Sequence, residues 1–248
     1  MLRNALSPLF RAARTHCRPA VLAAATVATG TAAVYCQSQN ASLVGTDTVL
    51  YATQWLRLLS RDYVDEGGVT RKYDLVQRAG NPEVVYALAI LASPSASGDE
   101  RELLLVCQFR PPLGGLALEP PAALVKPDET AAECALRVVK AETGYTGTVR
   151  YITDPMTPSA GLTDELQQLA IVDVSLEAKE NKKPKKSASV SKRRGVHTWR
   201  PRQDLQVDQF IKVHRVKLGE LGEAIAEAKS QGVTPWVGLK CFELGMQL

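Results

Sequence analysis

Residues 119–145 read EPPAALVKPDETAAECALRVVKAETGY, and this stretch decides the fold. Positions 129 to 142 hold few β-branched residues, Asp128 or Thr130 stands where an N-cap belongs, and Gly144 is placed to take a left-handed C-terminal conformation. The pattern predicts a helix. On it, positions 138, 141 and 142 share one face, because residues three and four apart are neighbours. That face carries Val138, Ala141 and one carboxylate, Glu142.

The spacing of Glu129, Arg137, Glu142, Gly144 and Tyr145 resembles the Nudix box, which asks for Gly, five residues, Glu, seven residues, Arg-Glu, an aliphatic, any residue, Glu-Glu, any residue, Gly and an aliphatic. The chain departs from it at Ala123 for the opening Gly, Val138 for the Glu after Arg, and Ala141 for the first paired Glu. The resemblance implies that this helix face holds Mg²⁺ or Mn²⁺ against a diphosphate, and a hard cation of that kind needs oxygen donors. It also implies that Glu129 and Arg137 form a structural brace between loop and helix. The brace is kept while two carboxylates are lost, so no complete catalytic set is expected. Metal catalysis contributes several kcal/mol of charge neutralisation, so the loss implies a rate deficit on the order of thousands-fold.

Flanking segments resemble the ADP-ribose (ADP-sugar) pyrophosphatase branch of the same superfamily, over about Thr46 to Leu248. The match rests on Gln108-Phe109-Arg110-Pro111-Pro112, Gly114-Gly115 and Glu119-Pro120-Pro121-Ala122. It implies diphosphate and terminal-ribose contacts at Arg110 and Glu119, and residual metal ligands at Glu142 and the Ala122 carbonyl. An adenine would be sandwiched by Trp55 and Tyr73, with Arg78 on the base; two flat rings bury both purine faces without exact hydrogen bonds. The branch's acidic general base falls on Gln209, and a Gln cannot take a proton from water at neutral pH.

With 248 residues, 45% of them hydrophobic, the chain is long enough for one sizeable core. Apolar, partly alternating runs predict strands at Glu83 to Ala92, Glu102 to Phe109, Leu166 to Leu176 and Gln209 to Val216. Helices are predicted at Thr130 to Thr143, Leu218 to Ser230 and Pro235 to Met246, with Pro235 suited to a first helical turn. The expected class is α/β: a Nudix fold, with a mixed β-sheet sandwiched between α-helices.

Residues 1–45 differ in kind. Arg3, Arg11, Arg14 and Arg18 accompany Leu2, Leu6, Leu9 and Phe10, with no acid before Asp47, which resembles a mitochondrial presequence. The uncharged run 20–36 is a marginal candidate for an inner-membrane anchor, since a span usually needs about 20 predominantly apolar residues. The Nudix-like domain is expected at 46–248, with a basic insertion at 179–202. From Lys179 to Arg202 there are ten Lys and Arg against Glu180, a net +9 where the whole chain carries +4. Such a segment could hold RNA, an anionic lipid surface or an acidic protein. Cys17, Cys36, Cys107, Cys134 and Cys241 form no C-x-x-C pair, which supports neither a zinc site nor a disulfide framework.

These features lead to one main expectation: a catalytically impaired Nudix-fold protein of the mitochondrial matrix or inner membrane. It would serve as a subunit of a larger complex, retain adenine-nucleotide binding, and could form a homodimer. One alternative is an active ADP-sugar pyrophosphatase that converts ADP-ribose to AMP and ribose 5-phosphate, the case in which Mg²⁺ or Mn²⁺ would be a cofactor. A second is an RNA-binding Nudix-like factor of a mitochondrial ribosome or RNA-processing complex.

Overall fold

Apolar side chains at alternate positions of two adjacent strands send one set to each face of a central sheet, and helices cover both faces. The computed structural model describes residues 40–80, 82–92, 98–182, 201–205 and 210–248. Along the chain run β1 (Ser42–Ala52), β2 (Leu56–Val64), β3 (Thr70–Arg78), β4 (Val84–Ala92), β5 (Glu102–Arg110), β6 (Gly115–Glu119) and β7 (Ala122–Leu124). Then follow α1 (Ala131–Thr143), β8 (Thr148–Ile152), β9 (Gln167–Ser175), β10 (Lys212–Lys217), α2 (Leu221–Ser230), β11 (Thr234–Pro235) and α3 (Val237–Met246).

The main sheet has the order β11-β6-β5-β4-β9-β8, with β10 on β5 and β7 on β4. It is mixed, because β4 runs parallel to β9 and antiparallel to β5. Odd-numbered β4 residues Val85, Ala87, Ala89 and Leu91 meet Cys134, Ala135, Val138 and Val139 of α1. Even-numbered Leu88 and Ile90 meet Leu221 and Ile225 of α2 and Leu239 of α3. The helix-sheet-helix sandwich expected from sequence is therefore found, and each fully buried Leu, Ile or Val contributes about 1.5–3 kcal/mol.

β5 shares one of its edges between two strands. β4 pairs only with its start, at Ile90↔Leu103 and Leu91↔Glu102, while β6 pairs with its end, from Val106↔Glu119 to Arg110↔Gly115. Beyond Ile90 the sheet forks. One arm is β5 and β6; the other is β4 with β7, paired at Tyr86↔Ala122. Pro120 and Pro121 cross the fork, and the Ala87 amide donates to the Pro121 carbonyl at 2.8 Å.

Three differences from the sequence reading stand out. A separate antiparallel sheet, β1-β2-β3, precedes the main one. It is held there by buried Leu59 and Leu75, by the Val76 amide on the Leu162 carbonyl, and by Arg61, which pairs with Asp47 at 2.7 Å and Asp164 at 3.4 Å. Pro235 closes a two-residue strand beside Leu118 instead of opening α3, because the Trp236 amide is taken by the Leu118 carbonyl. Leu218–Glu220 forms a 3-10 turn before α2.

The described flanks of the basic insertion dock on one place. Asn181 accepts from the Thr146 amide at 2.9 Å and donates to the Thr146 and Ser175 carbonyls. On the other side, the Asp204 amide donates to the Ala141 carbonyl at 2.8 Å. Residues 183–200 and residues 1–39, which include the 20–36 run, lie outside the described residues, while residues 42–45, placed with the presequence from sequence, form the start of β1. Among the described residues no helix is long and apolar enough to cross a membrane.

Candidate functional site

The helix at the centre of the site is fixed by local chemistry at both ends. Thr130, not Asp128, is the N-cap: its hydroxyl accepts from the Glu133 amide while Glu133 reaches back to the Thr130 amide, a complete capping box. Gly144 ends α1 at φ 81°, and a Cβ there would lie 2.7 Å from backbone atoms of Pro201 and Arg202. Only glycine accommodates both the left-handed angle and that close strand of chain.

The brace expected from sequence is present. Arg137 Nε and Nη2 donate to the two carboxylate oxygens of Glu129 at 2.6 and 2.7 Å, and Nη2 also reaches the Leu124 carbonyl at 3.1 Å. That bidentate contact, helped by the Lys126 amide, holds the Glu129 carboxyl down at about 2.

The face of α1 formed by positions 138, 141 and 142 is where the metal-binding carboxylates would stand. Val138 is 2% exposed and belongs to the apolar core with Val85, Ala87 and Leu104. Ala141 is half-buried. Glu142 is 4% exposed, accepts from the Ala122 amide, and keeps one oxygen without a partner. Burial pushes its carboxyl up to about 7. Glu119, the next nearest carboxylate, is committed to Arg110 at 2.8 Å and receives the Gln108 amide at 3.4 Å. Among the described residues no three His, Cys, Asp or Glu side chains converge as a metal site would require. Glu142 and the ion-paired Glu119 are the two carboxylates beside this face, and Mg²⁺ or Mn²⁺ would take further oxygen donors. The Cys134 thiol, at the start of α1, is pushed up to about 11 by burial and is inert.

Arg110 and Glu119 meet because Val106↔Glu119 and Arg110↔Gly115 set the register of the β5-β6 hairpin. This places them at the fork, near Ala122 and Glu142. The base-binding trio is arranged differently. Trp55 sits at the β1-β2 turn, 72% exposed, with its carbonyl accepting from the Ala79 amide. Tyr73 faces Arg61 across the β2-β3 pairing, and its hydroxyl donates to the Gly161 carbonyl at 2.7 Å. Six residues of strand separate the two aromatics along the hairpin, on the order of 20 Å at the usual rise per residue. Within one chain they cannot enclose a base. Tyr73 instead lines a pocket of about 750 Å³ with Arg61, Leu162, Asp164 and Glu165. Arg78 is bound by Glu165, which also takes the Gln167 side chain. Gln209 lies outside the described residues.

A model of the NUDIX domain matches residues 87–218, and a fission yeast (Schizosaccharomyces pombe) protein named an uncharacterized Nudix hydrolase is 30% identical over 78% of this chain and 86% of its own length. The chain belongs to the Nudix family. Its likeness reaches the ADP-ribose branch. The ADP-ribose pyrophosphatase of Saccharomyces cerevisiae is 33% identical over 53% of this Nudix chain and 58% of the relative. The mouse ADP-sugar pyrophosphatase is 27% identical over 60% and 68% respectively. A crystal structure of an ADP compounds hydrolase superposes with a TM-score of 0.52 at 14% identity, covering 77% of this chain and 86% of that one, and shows the shared fold.

Two parts of this Nudix site were not found from sequence. Glu165 partners Arg78 from 87 positions away, a separation that no local pattern reports. Tyr86 of β4 stacks on Trp236 with ring centres 4.6 Å apart and planes 6° from parallel. Each is a single aromatic in an otherwise apolar stretch.

Proposed function

We propose that this Nudix chain holds a nucleoside diphosphate sugar of the ADP-ribose class at the fork of its sheet, and that metal-dependent cleavage of the diphosphate is impaired. The ligand class is supported by the names of the yeast and mouse relatives, and by Arg110 and Glu119 standing together beside Glu142. The observation that carries the impairment is Val138, packed at 2% exposure in the core where the Nudix box has a glutamate. The test is incubation of the purified chain with ADP-ribose and Mg²⁺ or Mn²⁺, alongside ligand-induced thermal stabilisation. Binding with turnover far below a typical ~10 s⁻¹ supports the reading, and turnover near that value ends it.

A second reading is a working ADP-sugar pyrophosphatase, and the relatives' names favour it. It requires Glu142, Glu119 and the Ala122 carbonyl to suffice for the metal. The same assay separates the two.

A base enclosed by Trp55 and Tyr73 would take one ring from each of two copies, which extends the proposal to a homodimer. The exposed apolar residues Leu43, Val49, Leu50 and Tyr51 of β1 support it, since an edge strand of that kind is otherwise a liability. Light scattering of the purified chain checks it, and a monomer at micromolar concentration would remove it. The N-terminal arginines carry the further proposal of mitochondrial import and membership in a larger complex, for which co-purification from mitochondria is the check.

A further inference from the structure

The fork of the sheet contains an aromatic pair to which the family resemblance assigns nothing. Tyr86 leaves β4 directly across from Ala122, and Trp236 follows β11, anchored by its amide on Leu118 of β6. The stack therefore bridges the two arms of the fork. Its placement is built in from both sides, because a Cβ on Gly238 would come within 2.2 Å of the Trp236 ring. The first turn of α3 is left bare to admit the indole.

The phenol lies within electrostatic reach of two ion pairs, Arg110 with Glu119 and Arg78 with Glu165. These are the two ion pairs that mark the diphosphate end and the base end of the proposed ligand. A ligand spanning them passes over Tyr86. The ring is partly buried, and its hydroxyl is not among the polar atoms sealed from solvent without a partner, so the oxygen is open to solvent at the fork.

We infer that Tyr86, held in place by its stack on Trp236, is a further ligand contact that donates its hydroxyl to the sugar and phosphate oxygens between the two ion pairs. The inference rests on the nucleoside diphosphate sugar reading given above. The stack restrains the ring, so the donor is positioned before the ligand arrives and little rotamer freedom is lost on binding. Trp236 is a positioning residue, acting through Tyr86.

Calorimetric titration of the full chain with ADP-ribose tests it. Tyr86→Phe keeps the stack and removes only the oxygen, so affinity should fall about tenfold, as expected for a hydrogen bond to a charged group, with no change in melting temperature of the free protein. Trp236→Ala should weaken binding to a similar degree, and Trp236→Phe, which retains a stacking ring, should restore most of it. If the wild type binds and Tyr86→Phe binds within twofold of it, the inference is wrong and the ligand reading stands. If the wild type binds neither ADP-ribose nor AMP at millimolar concentration, both fall together.

Discussion

Replacing Glu142 by Gln should stabilise this protein, and should do so more as the pH rises. Burial raises the carboxyl from 4.5 to about 7, so between those values the folded protein keeps a proton that the unfolded chain has already released. An acid whose folded pKa is raised contributes most favourably when neutral: stability is highest below 4.5, falls as pH climbs through the window, and levels off above about 7. At 1.36 kcal/mol per pH unit, the full penalty for burying the charged form is about 3 kcal/mol, of which about 2.5 develops between roughly pH 5 and pH 8. Gln is isosteric and cannot ionise. Urea denaturation of wild type and Glu142→Gln at the two pH values should therefore give curves that nearly coincide in acid and separate by about 2–3 kcal/mol in mild base. A variant less stable than wild type near pH 8, or a difference independent of pH, would refute the account. Mg²⁺ extends the measurement: a complete metal site would stabilise the wild type strongly at pH 8 through Glu142, and the proposed impairment predicts almost no effect.

Other substitutions probe the same helix. Glu129→Gln should cost about 1–3 kcal/mol near neutral pH by leaving Arg137 without its charged partner, with the deficit shrinking as pH falls from 4.5 toward about 2, measured by acid-range denaturation. Gly144→Ala forces a Cβ into the Pro201 and Arg202 backbone at a left-handed angle, and thermal melting should show a loss of about 1–3 kcal/mol. Thr130→Ala removes the capping box and should destabilise α1 by about 1 kcal/mol, read from the same melts. Returning the box carboxylates with Val138→Glu and Ala141→Glu should lower stability by several kcal/mol in chelator, because Val138 lies in the core; adding Mg²⁺ should recover part of it and raise ADP-ribose turnover.

What the sequence determined by itself was local and periodic. The caps at Thr130 and Gly144, the Glu129 to Arg137 spacing, and the apolar runs of the main sheet each act over a few residues, so α1, its brace and the helix-covered sheet were all legible in advance. The same spacing placed Val138 and Ala141 on the ligand-binding face, and the structure finds Val138 in the apolar core and Ala141 beside it.

Only the tertiary structure decided which distant groups meet. Trp55 and Tyr73 lie close in sequence but well apart along a hairpin, while Glu165 reaches Arg78 and Trp236 reaches Tyr86 across long stretches of chain. The Tyr86 stack follows from how β4 and β6 divide one edge of β5, and the Arg78 pair from the bridge between Val76 and Thr163, matters of register and packing. Residue spacing reports which side of an element a group occupies, and it carries no information about which other element will be folded against that side.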